Sequence, residues 1–166
     1  LEKAVRQGLI DKIPVYVQGM VWDVTAIHTA YPDFFSNRVK KLIFHKDTNP
    51  FLSDMFKRVG SRKELMQVVE ETGPCVIMAT SGMMVGGPSV EYFKHLASNP
   101  KNSLVFTCYQ GIGSLGRRIQ SGEKEIAFSD GSNKQEIVKV NMEIHSLHSF
   151  TGHSTREQLI NFVRRL

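Results

Sequence analysis

The sequence predicts an α/β fold, a mostly parallel sheet flanked by helices, in one domain. Three observations carry that expectation. Short β-rich apolar runs alternate with stretches of helical spacing along the whole chain. Two of those runs, PCVIMAT (74–80) and SLVFTCY (103–109), are continuous, as strands buried on both faces are. Each is followed by a loop rich in glycine and serine and then by a helical pattern.

The elements follow in order. Residues 1–10 read as the end of a helix and IPVYV (13–17) as a strand. QGMVWDVTAIHTAYP opens at Gly19 and runs helically to Pro32. KLIF (41–44) reads as a second short strand, and LSDMFKRV and RKELMQVVEET as helices, the latter with Ser61 as N-cap. After PCVIMAT comes a helix over 89–98, with Pro88 near its start. EIAFS (125–129) and EIVKVNMEI (136–144) read as strands joined by a turn at SDGSN, and the chain is helical from Thr155. In the second strand Val138, Val140, Met142 and Ile144 share one face. No internal repeat, low-complexity tract or linker interrupts the 166 residues, which suit one core.

Composition narrows the classes. Hydrophobic content of 41% and charged content of 22% are those of a globular protein. No apolar run approaches the ~20 residues a bilayer span needs, and the N-terminus lacks the pattern of a signal peptide, so no membrane partner is expected. The chain lacks a starting Met and opens and closes within helical patterns, as a piece of a longer protein does. Cys75 and Cys108 lie in apolar runs and are expected as buried thiols rather than a disulfide, which fits a reducing cytoplasm. The net charge of +5, from 21 basic and 16 acidic residues, favours a polyanionic partner. Lys40-Lys41 and Arg164-Arg165 are either solvated pairs or part of a nucleic-acid track.

In open α/β sheets ligands gather at the carboxyl ends of the strands. Here those ends carry TSGMMVGGPS (80–89) and YQGIGSLGRR (109–118). Such loops let backbone amides approach a phosphate, and a helix N-terminus adds partial positive charge. Gly111-Ile-Gly113-Ser-Leu-Gly116 matches the dinucleotide pattern GxGxxG. Only about one helical turn separates Gly116 from Ser121-Gly122, too short to cross a parallel sheet face. Asp130, where an acid is wanted, falls in a turn. Three readings stay open: a nucleotide-binding enzyme using Gly111–Gly116, a glycine turn needed for tight packing, and a phosphate-backbone site with Arg117 as charge partner. Arginine suits the last because its planar fork makes two hydrogen bonds to one phosphate.

HSLHSFTGHS (145–154) holds His145, His148 and His153. A zinc site would need the three to converge within ~2.1 Å of one ion. If the preceding strand persists, His145 and His148 point to opposite faces, and no nearby Asp, Glu or Cys completes a ligand set. Both are read as structural or surface residues. His153 lies after a strand and before a helix, where catalytic residues of α/β folds sit. His28 is either structural or in a cleft. His45 and His95 lack chemical company, and Met83 and Met84 are read as loop packing.

ATSGMMVGGPSVEYFKHL, YQGIGSLGRRI and SFTGHSTREQLINFV, in this order, resemble the β-CASP domain, the cap inserted into metallo-β-lactamase-fold ribonucleases. GMVWDVTAIHTAYPDFF is similar to the helix that opens that domain. The likeness is strongest to the archaeal branch related to the cleavage and polyadenylation specificity endonucleases, and it covers nearly the whole chain. It implies a Rossmann-like cap over residues 1–166, whose end, from about 145 to 166, leads back into the metallo-β-lactamase domain. It implies a two-zinc endoribonuclease, in some members also a 5′-3′ exonuclease, acting on single-stranded RNA in 3′-end processing or transcription termination. The cofactor would be zinc held outside this chain, since no HxH occurs here. This chain alone would then be inactive. The implied partners are single-stranded RNA, the metallo-β-lactamase domain of the same protein, and a second copy through regions outside this chain.

By its position in SFTGHS, His153 corresponds to the family's motif B histidine, set beside the scissile phosphate rather than on a metal. In such enzymes metal lowers the pKa of a bound water to ~7. An imidazole can then supply hydrogen bonds, charge or a proton for the leaving 3′ oxygen. Ser81, Gly82, Gly87, Ser89 and Arg117 are the expected RNA-backbone contacts. The alternative from another class is a non-catalytic RNA-binding or scaffold module.

Overall fold

The computed structural model describes residues 2–46, 49–129, 135–148 and 153–166. In chain order the elements are α1 (Glu2–Arg6), β1 (Val15–Gln18), α2 (Met20–Ala30), a 3-10 turn (Pro32–Phe34), α3 (Asn37–Lys46), β2 (Phe56–Val59) and α4 (Arg62–Val69). There follow β3 (Val76–Ala79), α5 (Pro88–Leu96), β4 (Ser103–Phe106), α6 (Leu115–Gln120), β5 (Glu125–Ser129), β6 (Gln135–Lys139), β7 (Glu143–Ser146) and α7 (Arg156–Val163). The expected α/β class with a parallel sheet and flanking helices is what forms. β2, β1 and β3 make a parallel sheet in that order, β4 and β7 pair in parallel, and β5 and β6 form an antiparallel hairpin. Among the described residues no helix is long and apolar enough to cross a membrane.

Three apolar clusters hold these pieces. The largest joins Met84, Phe93, Ala97, Phe106, Ile119, Ile126, Val138, Val140 and Met142, so it ties the loop after β3 to α5, α6 and the hairpin. A second packs α4 and α5 on the sheet through Val59, Leu65, Val68 and Tyr92. The third, Val15, Val17 and Met55, seals the other side of β1. Each buried Val, Leu, Ile, Phe or Met among them contributes about 1.5–3 kcal/mol relative to exposure. Capping boxes start two helices: Ser61 with Glu64 opens α4, and Thr155 with Gln158 opens α7.

Several expectations need correction. KLIF lies inside α3: Val39, Leu42 and Ile43 are half-buried at helical spacing, while Phe44 is exposed. LSDMFKRV is not a helix; its second half is β2, with backbone hydrogen bonds to β1 in the register Val15↔Phe56 to Gln18↔Val59. The run after the hairpin turn is not one strand. The Ala97 carbonyl at the end of α5 accepts the amides of both Asn141 and Met142, and this breaks the run into β6 and β7. The shared face survives the break, with Val138, Val140 and Met142 buried and Ile144 half-buried. PCVIMAT is not buried on both faces. β3 is the edge of its sheet and Met78 is exposed. SLVFTCY pairs only through Phe106, and Val105 is exposed. Cys75 is a half-buried free thiol, and Cys108 is a free thiol too but exposed, since β4 ends before it. The SDGSN turn beyond Ser129, and Ser149 to Gly152 in the histidine segment, lie outside the described residues.

Candidate nucleic-acid interface

Two loops meet beyond the carboxyl ends of β3 and β4. The first runs from Thr80 to Gly87 and the second from Thr107 to Ser114. Gln110 joins them. Its side chain is 2% exposed and its amide nitrogen donates to the carbonyl of Gly82 at 3.0 Å and to that of Cys108 at 3.2 Å. The Gly116 amide reaches back to the Met83 carbonyl at 3.4 Å. Met84 drops its side chain into the largest core cluster, while Met83 stays exposed. The loops are therefore one unit, anchored from below.

Inside the first loop most polar atoms are engaged. Ser81 Oγ accepts the Val85 amide at 2.9 Å and donates to the Gly86 carbonyl at 3.3 Å. Ser89 Oγ donates to the Ser81 carbonyl at 2.8 Å, and the Ser89 amide to the Thr80 carbonyl at 2.9 Å. The Thr80–Ser81 peptide is cis. Gly87 caps α5 with φ +78, and a Cβ there would press on the Thr80 carbonyl at 3.3 Å, so the position favours glycine on both counts. Gly82 and Gly87 are exposed and offer main chain to solvent; Ser81 and Ser89 are half-buried and shape the loop.

In the first turn of α6 Gly116 is buried, and a methyl on it would lie 1.8 Å from Gln110 Oε1. This supports the tight-packing reading for the last glycine of the GxGxxG match. The helix that holds it, α6, has six residues, the single turn or so that disfavours a dinucleotide fold. Ser114 caps α6 by accepting the Arg117 amide at 3.2 Å.

The two arginines of α6 part company. Arg118 is tied to Glu123 by both a Nε and a terminal nitrogen, and that guanidinium holds the Glu123 carboxyl below its ordinary range. Arg117 is exposed and donates to Gln120 Oε1 at 3.1 Å. Gln120 in turn donates to Ser146 Oγ at 2.7 Å, at the end of β7. A neutral amide thus steers Arg117 without neutralising it, and joins it to the strand that leads toward His153. Pairing of α6 with β7 is invisible in the sequence, because their separation gives no periodic signal.

His153 is exposed, just before the Thr155 cap of α7. His145, on β7, points its Nε2 at Glu143 Oε2, 3.2 Å away, and His148 is exposed in a turn. Among the described residues no three His, Cys, Asp or Glu side chains are placed to hold a metal. His28 packs at a tilt against Phe35 and Phe51, with ring centroids 5.4 and 5.3 Å away. Sequence reasoning passed over Tyr109, which is 74% exposed on the second loop, next to Gln110. Its signal was the aromatic that closes the apolar run SLVFTCY at the head of a glycine-rich loop, and an exposed aromatic suits base stacking.

Comparison with known proteins adds to this geometry. The family model described as the Beta-Casp domain matches residues 1–119, and the model described as the Zn-dependent metallo-hydrolase RNA specificity domain matches residues 137–166. Over all 166 residues the chain is 50% identical to the transcription termination factor FttA of Methanocaldococcus jannaschii. It is 49% identical to that of Methanosarcina mazei and 48% identical to that of Pyrococcus abyssi. The chain spans 26% of the length of each of these curated relatives.

Proposed function

The chain belongs to the β-CASP family, and on that footing we propose that it forms the RNA-facing cap of a metal-dependent ribonuclease, with His153 as the catalytic residue it contributes. The observation that carries the proposal is the placement of Arg117. It is exposed, steered by Gln120, and joined through Ser146 to the strand that precedes His153. The match of residues 137–166 to an RNA specificity domain supports the same assignment for the segment that holds His153.

The cap would act through its own groups. Main-chain amides around Gly82 and Gly87 meet the RNA backbone, while Ser81 and Ser89 keep the first loop in shape for them. Arg117 forks onto a phosphate. Tyr109 offers a face to a base, which adds affinity without reading sequence. His153 places an imidazole by the scissile phosphate, where it donates hydrogen bonds to oxygens gaining charge or a proton to the departing 3′ oxygen.

The described residues of this chain do not fit a zinc centre. We assign the ligands of both zinc ions to the metallo-β-lactamase domain of the same protein, reached beyond residues 145–166, and route no step of the cap's chemistry through them. The relatives carry the name transcription termination factor. We extend that role to this protein: cytoplasmic cleavage of single-stranded RNA at the end of transcription, with 5′-3′ trimming and pairing of two copies as further members of the proposal.

Photo-crosslinking of a thiouridine-bearing RNA to the intact protein, read by mass spectrometry, tests the proposal. Cross-links within 80–89 and 109–120 support it. Cross-links confined to other surfaces of the domain overturn it.

A further inference from the structure

A second charged surface lies on elements that the glycine loops do not touch. α1 and α3 face each other across an open cleft of about 530 Å³. Lys3 and Arg6 line one wall, one helical turn apart. Arg38 and Lys41 line the other at the same spacing, with Lys46 at the end of α3. Residues three apart share a helix face, so each wall presents a stacked basic pair. Among the described residues no acidic side chain lines the cleft. Among the described residues Lys3, Arg38 and Lys41 form no ion pair. Like charges held on facing walls repel, and an anion entering between them gains from both.

We propose that this cleft is a second binding site for the phosphate backbone of single-stranded RNA, apart from the loops beside Arg117. The inference rests on the RNA-binding reading and extends it from one contact to a track. Three features favour a nucleic-acid backbone over an acidic protein segment. Among the described residues the charged groups of the lining, Lys3, Arg6, Arg38, Lys41 and Lys46, are all cations strung along one cleft, which suits the regularly repeated charge of a nucleic-acid backbone. Arg38 supplies the planar fork that suits phosphate. The cleft is open, as a passing strand requires.

The test measures binding of a fluorescein-labelled poly(U) strand to the intact protein across ~50–200 mM salt. Arg38→Gln with Lys41→Gln removes the stacked basic pair of one wall and keeps good helix formers in α3. Lys63→Gln with Lys101→Gln removes the same charge from exposed positions elsewhere. In the cleft variant affinity falls on the order of 10-fold at low salt, and the slope of log affinity against log salt becomes shallower by about 1.4, at ~0.7 per lost phosphate contact. The control variant keeps the wild-type slope. If the α3 variant loses helix content, Lys3→Gln on the opposite wall carries the test, with a slope change of about 0.7. Equal changes in cleft and control variants, or none in the cleft variants, overturn the inference; the latter leaves an acidic protein segment as the ligand class. Failure of the wild-type protein to bind poly(U) overturns the RNA-binding reading, and this site with it.

Discussion

Gln110 and Gly116 occupy one space. The Gln110 side chain is buried where a methyl on Gly116 would sit, 1.8 Å from Oε1, and the same Gln110 donates to Gly82 across the loops. The two glycine loops are therefore held together by one amide that only a glycine admits.

Gly116→Ala is expected to destabilise the protein by about 1–3 kcal/mol, the usual cost of overpacking. The Met83 carbonyl, 3.2 Å from the added methyl, limits relaxation on the other side. Urea unfolding checks the value. Gly116→Ala with Gln110→Ala should recover part of the stability, yet bind RNA more weakly than wild type because the loops are no longer joined.

Arg117→Ala is expected to weaken RNA binding and to make the salt slope shallower by about 0.7. Gln120→Ala leaves the charge but removes its guide, so it should weaken binding with the slope kept. Equal slopes for wild type and Arg117→Ala in a salt titration would remove Arg117 from the phosphate wall.

Tyr109→Ala is expected to cost about 1–3 kcal/mol of RNA affinity without changing the salt slope, the sign of lost stacking rather than lost charge. Tyr109→Phe should bind as wild type does.

The α4 capping box predicts an acid-sensitive element. The Glu64 carboxylate accepts the Gly60 amide at 2.6 Å and the Ser61 amide at 3.1 Å, and the first of these chiefly holds its pKa below the ordinary 4.5. A depressed carboxyl contributes stability above its unfolded pKa and loses it as the pH falls through the folded one. Unfolding free energies measured from neutral pH down through about 4 should fall faster for wild type than for Glu64→Gln. Ser61→Ala, which removes the other half of the box, is expected to cost about 1 kcal/mol at neutral pH.

How much of this was legible in the sequence depended on local signals. The Ser61 cap, the helix after Pro88 and the buried parity of Val138, Val140 and Met142 follow from spacing of three or four residues or of two, and they form as read. KLIF and LSDMFKRV misled because short apolar runs fit either period. Whether a β1 edge was available to pair with decided the second. The split between β6 and β7 was set by the Ala97 carbonyl, more than forty residues away in the chain. In the candidate site, the glycine loops and Arg117 were readable from residue type and position. The link from Arg117 through Gln120 to Ser146 was not, because it depends on which elements pack together.

The most direct test of the account is single-turnover RNA cleavage by the intact protein with His153→Ala beside wild type, with zinc content and RNA affinity measured on the same samples. The account predicts that cleavage falls by ~10²–10⁴ while zinc and affinity hold. Full cleavage by the variant, or loss of zinc along with activity, would contradict it.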